Sequence, residues 1–80
     1  MNVNTYLRHL TIGTSGSIVG YDRVYGGYIG KLIAMGLTPG TDFLVLNIVP
    51  HRAAELLVRG AAVALQRPEM DALCIEAIYY

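Results

Sequence analysis

Apolar positions recur along this chain with two different periods, and the places where the period changes mark its elements. Val3, Tyr6, Leu7 and Leu10 fall at helical spacing and predict one or two turns laying an apolar stripe on the core. "GTSGSIVGYD" then reads as a turn followed by a strand through Ile18, Val19 and Tyr21, with Gly20 marking a bulge or a close approach. From Tyr25 the apolar positions Ile29, Leu32 and Ile33 define one face of a helix of about three turns. Gly36 is its stop. With Gly36 left-handed just past the helix, Leu37 falls where it touches Leu32 across the cap, as in a Schellman ending. "TPGT" follows, placing Pro39 and Gly40 at the second and third positions that a type II turn prefers.

The strand from Asp42 to Val49 thus begins with its direction already set. Beyond it the chain is strand-like. "AELLVRG" carries Leu56 and Val58 on one face, Gly60 turns the chain, and "AAVALQ" repeats the alternation with Val63 and Leu65. "RPEMDA" predicts one helical turn with Pro68 at its first position and Glu69 near the positive end of the dipole. "LCIEAI" is a last strand with Leu73 and Ile75 on one face. The pattern adds up to an all-β fold of about five strands with one short helix, wrapped into a small closed barrel that hides its edges. Gly36, Leu37, Gly40 and Gly60 are its structural punctuation.

Composition narrows the function classes. Eighty residues predict one domain, residues 1–80, and 54% hydrophobic against 15% charged residues exclude a disordered tail. A formal charge of zero removes the positive field that non-specific nucleic-acid binders use, so nucleic acid is disfavoured as a partner. The N-terminal "MNVNTYLRHL" lacks the apolar core of a signal peptide, and "FLVL" and "AAVAL" fall far short of the roughly 18 residues a membrane span needs. One cysteine, Cys74, allows no internal disulfide and fits a reducing, cytoplasmic compartment.

Candidate chemistry is sparse. His9 and His51 lie far apart without a neighbouring cysteine or carboxylate at ligand spacing, so no metal site is expected. Cys74 has no activating histidine nearby in sequence. Ser15, Ser17 and the carboxylates Asp22, Asp42, Glu55, Glu69, Asp71 and Glu76 form no evident acid and base pair, and most read as surface charges. The glycines of "GTSGSIVG" and "YGGYIG" do not form a phosphate cradle, because Lys31 is followed by Leu32 rather than serine or threonine. Tyr21, Tyr25 and Tyr28, with Arg23 and Lys31 among them, combine residue types that stack on bases with ones that anchor protein interfaces, and the zero net charge favours a protein interface over RNA. The reading is of a non-enzyme with no cofactor.

Three strings now carry a family resemblance: "LxxLxxGxxGxI" from Leu7 to Ile18, "KLIAMGLTPGT" from Lys31 to Thr41, and "ELLVRGAAVALQRPEMDALCIE" from Glu55 to Glu76. Together they resemble the FeoA family of bacterial ferrous iron uptake. The resemblance implies an SH3-like barrel and an accessory role toward FeoB, the membrane permease with a cytoplasmic GTPase domain. Membrane contact is then made only through that partner, and self-association into a homo-oligomer stays open. Two segments depart from the family pattern: "HRAA" after Pro50, and "DRVYGGYIG" before the helix. With Ile29, Leu32 and Ile33 assigned to the core, the helix leaves Tyr28, Lys31 and Met35 outward beside Thr38 and Pro39, and this patch is the expected partner surface. The alternative is a free-standing SH3-like barrel acting as a nucleic-acid-binding or metal-regulator-associated module, since the same fold forms the C-terminal domain of iron-dependent repressors.

Overall fold

Six antiparallel strands follow one another across a single sheet in the order β1-β6-β2-β3-β4-β5, described over residues 2–79 of a computed structural model. They are β1 (Asn2–Tyr6), β2 (Ser15–Tyr21), β3 (Asp42–Val49), β4 (Ala53–Val58), β5 (Ala61–Gln66) and β6 (Leu73–Ile78). Two six-residue helices, α1 (Ile29–Ala34) and α2 (Arg67–Ala72), join them, with 3-10 segments at Leu7–His9 and Arg23–Tyr28. The sheet curls in the SH3-like manner around one core. No ladder among the described residues joins β1 to β5, so the barrel is not closed by strand pairing. Instead α2 packs against β4, β5, β6 and both 3-10 segments.

Alternation explains the strands after Asp42. In β4 Ala54, Leu56 and Val58 are buried, and in β6 Leu73, Ile75 and Ala77. These side chains meet Leu7, Ile18, Leu32, Leu37, Val45 and Met70 in the core. Each fully buried Leu or Ile contributes roughly 1.5–3 kcal/mol before chain entropy is counted. β2 and β3 are both bent by bulges, between Ile18 and Gly20 and between Val45 and Asn47. Gly16, buried in β2, is required by packing: a Cβ there would sit 2.7 Å from the Glu76 carbonyl oxygen and 2.8 Å from the Phe43 ring.

The structure corrects three expectations. Residues 2–6 form a strand paired with β6 from Asn2↔Ile78 to Tyr6↔Cys74, and only Leu7–His9 coils. A stripe of four apolar residues fits helical spacing, but the free edge of β6 offers a full ladder of backbone partners. That strand brings the total to six rather than five. The three-turn helix is in fact split. Asp22 caps it by accepting from the Val24 N–H at 3.0 Å, Tyr25 leaves helical geometry (φ −105, ψ 31), and α1 begins only at Ile29. Gly26 and Gly27, poor helix formers, lie at the break. Within the short α1 only Leu32 is wholly buried, and the adjacent Ile33 is 50% exposed. Finally, Glu69 and Asp71 are buried, not surface charges.

Candidate partner-binding surface

The segment from Arg23 to Thr41 is held at each of its joints. At the end of α1, Gly36 adopts φ +84, its N–H donates to Ile33 O and the Leu37 N–H to Leu32 O, both at 3.0 Å. This is the paired closure of a Schellman motif, with Leu32 and Leu37 both fully buried. The next turn closes by the Thr41 N–H donating to Thr38 O at 3.0 Å, with Gly40 at φ +89. β2 grips that turn: Gly40 N–H donates to Ile18 O at 2.7 Å and Ile18 N–H to Thr41 O at 2.9 Å. The Tyr21 hydroxyl donates to Leu37 O at 2.7 Å, and burial of the ring raises the phenol's pKa.

A second tie joins α1 to α2. Lys31 Nζ donates to Glu69 Oε1 at 2.5 Å, while Glu69 Oε2 accepts the Gln66 N–H at 2.7 Å as half of a capping box. Burial works to raise the Glu69 pKa, but the hydrogen bonds from Lys31 and Gln66 and the Lys31 charge outweigh it, so the carboxyl ionises below its ordinary range. Asp71 is flanked at 3.7 Å by Arg8 and by Arg67, and Arg8 also lies over the Tyr6 ring at 4.3 Å. Pro68 is the second residue of α2, one position later than expected.

On this frame the expected surface residues separate. Tyr28 and Pro39 are exposed. Lys31 is exposed along most of its side chain, yet its ammonium is committed to Glu69. Met35 is half-buried and packs against the core rather than facing outward. Thr38 is half-buried, its hydroxyl 3.0 Å from that of Thr41, which also takes the Arg59 guanidinium at 3.4 Å. Sequence reading missed Val24, at 83% the most exposed of the large hydrophobic residues, and Ile33. Together with Tyr28 they are the large apolar side chains exposed along residues 23–34, beside exposed Arg23 and Lys31. Of the tyrosine cluster, Tyr21 and Tyr25 pack on the core and Tyr28 stays free of it.

The remaining candidates do not converge on a reaction centre. His9 and His51 are both exposed, and His9 Nδ1 lies 3.1 Å from the Thr5 hydroxyl. Cys74 is half-buried, and burial, then the Asp22 charge, pushes its thiol pKa up, away from the thiolate a nucleophile needs. Among the described residues no group of three or more His, Cys, Asp or Glu side chains is placed to hold a metal ion. Nor is any helix there long and apolar enough to cross a membrane.

Comparison with solved structures places this architecture. The crystal structure of an iron uptake regulatory protein (FeoA) is similar at a TM-score of 0.83 and 24% identity, covering 95% of this chain and 99% of that one. The solution structure of a FeoA-like protein from Clostridium acetobutylicum gives 0.84 at 20% identity, over 100% and 93% of the two chains. A manganese-dependent transcriptional repressor gives 0.85 at 15% identity, but the match spans only 37% of that chain. At these identities the likeness is one of fold. No curated protein sequence matches significantly. The FeoA domain, however, matches residues 5–77, nearly the whole chain, and on that ground the chain belongs to the FeoA family.

Proposed function

We propose that this protein is a non-enzymatic, cytoplasmic accessory factor of ferrous iron uptake that docks on the cytoplasmic part of a FeoB-type GTPase and permease. Family membership supports the link to iron transport. The observation that carries the docking mode is the coincidence of exposed Val24, Tyr28 and Ile33 with a segment pinned by Glu69, Tyr21 and β2. Apolar and aromatic side chains held in fixed positions lose little freedom when they are covered, so more of the burial energy appears as affinity. Met35, packed on the core, together with Thr38 and exposed Pro39, belongs to the same pinned segment and is counted with the docking surface.

The test is retention of the purified chain by the soluble GTPase domain and by the full-length permease. The wild type should be retained, and Tyr28→Ala combined with Ile33→Asp should lower affinity by about tenfold or more in a variant shown by circular dichroism to be folded. Failure of the wild type to bind either partner, or normal binding by the double variant, would overturn the proposal. Binding to RNA or single-stranded DNA that weakens as salt rises would favour the regulatory-module alternative instead.

A further inference from the structure

The strand at the far end of the sheet carries a second surface. β5 pairs with β4 from Val58↔Ala61 to Ala53↔Gln66 through a two-residue turn in which Arg59 and Gly60 have φ 51 and φ 81. That is the signature of a type I′ hairpin, whose flanking residues exchange both backbone hydrogen bonds. Alternating from there, Ala61, Val63 and Leu65 direct their N–H and C=O groups to β4. Those of Ala62 and Ala64 point away from the sheet. Both residues are exposed, and no backbone hydrogen bond from outside the ladder reaches them among the described residues. The next outward N–H, on Gln66, is already taken by Glu69.

Edge strands are ordinarily blunted by charge, proline, a bulge or a covering segment. The sequence Ala-Ala-Val-Ala-Leu-Gln has neither charge nor proline, and its ladder runs without the register shifts that bend β2 and β3. We infer that β5 is a self-association edge, on which two copies of this chain pair β5 to β5, antiparallel, about a twofold axis at Val63. Ala62 of each copy then lies opposite Ala64 of the other, and each such pair exchanges both hydrogen bonds left open in the monomer. A twofold contact sets a strand against itself, so a charged strand would repel its copy and this uncharged one does not. On the outer face Ala62 continues a cross-strand row through Leu57 to Leu44, both half-buried, and the second copy's Ala64 extends that apolar cover.

Sedimentation velocity of the full chain from micromolar to millimolar concentration tests this inference. The expected result is a monomer–dimer equilibrium. Ala64→Lys should weaken it by about tenfold or more, because the twofold axis brings two like charges onto one face of the joint sheet. Ala64→Pro should do the same, because the N–H it removes makes no ladder bond to β4; circular dichroism would verify that each variant is folded. Amide exchange at Ala62 and Ala64 should slow as concentration rises, while Val63 is unchanged. A monomer throughout the range, a dimer indifferent to both substitutions in folded protein, or concentration-independent exchange at Ala62 and Ala64 would overturn the inference.

Discussion

Replacing Gly16 by alanine adds one methyl group at the most crowded backbone position of the sheet. Gly16 faces Phe43 on β3 and Ala77 on β6, so its backbone is fixed on both sides by ladders and cannot retreat. The new Cβ would lie 2.7 Å from the Glu76 carbonyl oxygen and 2.8 Å from Phe43 Cζ, well inside ordinary contact. Phe43 is 4% exposed, and the carbonyl belongs to the β2–β6 ladder, so neither neighbour yields cheaply. Overpacking of this kind costs about 1–3 kcal/mol, and a backbone clash puts the expectation at about 2–3 kcal/mol. For a domain of this size that lowers Tm by roughly 10–20 °C. Gly20→Ala on the same strand is the control: its Cβ meets nothing within 4 Å, and the smaller entropy of the unfolded chain makes it neutral or stabilising by several tenths of a kcal/mol. Urea unfolding followed by far-ultraviolet circular dichroism measures both, and a cycle with Phe43→Leu isolates the ring's share. A Gly16→Ala protein within about 0.5 kcal/mol of wild type, or a Gly20→Ala protein equally damaged, would refute the packing argument.

Two further outcomes follow from the ties around α1. Gly36→Val should cost at least about 1 kcal/mol through backbone strain alone, since φ is +84 and the added Cβ meets nothing within 4 Å; unchanged urea stability would show that the cap tolerates a β-branched residue. Because Glu69 ionises more readily in the folded chain than in the unfolded one, its contribution to stability is complete above its ordinary value of 4.5 and is lost as pH falls through the lower folded value. Glu69→Gln should remove that part of the acid limb, and an unaltered pH profile of unfolding between about pH 5 and 2 would contradict it.

What could be read from the residues was what they determine locally. The run from Gly36 to Thr41 announces its cap and its turn because positive φ and a fixed proline φ belong to single residues. The alternation of β4 and β6 shows in the sequence because one face is buried and the other is not. β1 did not show, since residues 2–6 are a strand by virtue of β6, which lies at the other end of the chain. Ile33 was misplaced for a related reason: in a helix of six residues the buried stripe is narrow, and packing in the fold, not spacing, decides that Leu32 and not its neighbour Ile33 is fully covered. Gln66 and Glu69 do carry capping-box spacing, but the burial of Glu69 depends on its neighbours in the fold, and its cation, Lys31, lies 38 residues away. The candidate surface was therefore legible as a segment and not as a set of outward side chains.

That distinction decides how the surface can be probed. Lys31 looks like a contact residue because it is exposed, yet its ammonium spans the gap between α1 and Glu69. Lys31→Glu would set a carboxylate against a buried carboxylate whose other oxygen caps α2, and the strain would be relieved by moving α1. Lost partner binding in that variant reports a displaced helix as readily as a missing contact. Glu69→Gln weakens the same tie while leaving every exposed side chain in place, so the two variants should fail together if position is what matters. Tyr28→Ala with Ile33→Asp does the reverse, removing outer side chains while the Lys31–Glu69 tie, the Gly36 cap and the Tyr21 hydrogen bond to Leu37 remain. A partner that tolerates Glu69→Gln but rejects the Tyr28 and Ile33 changes reads the apolar face itself, and the frame beneath it then serves chiefly to keep that face presented.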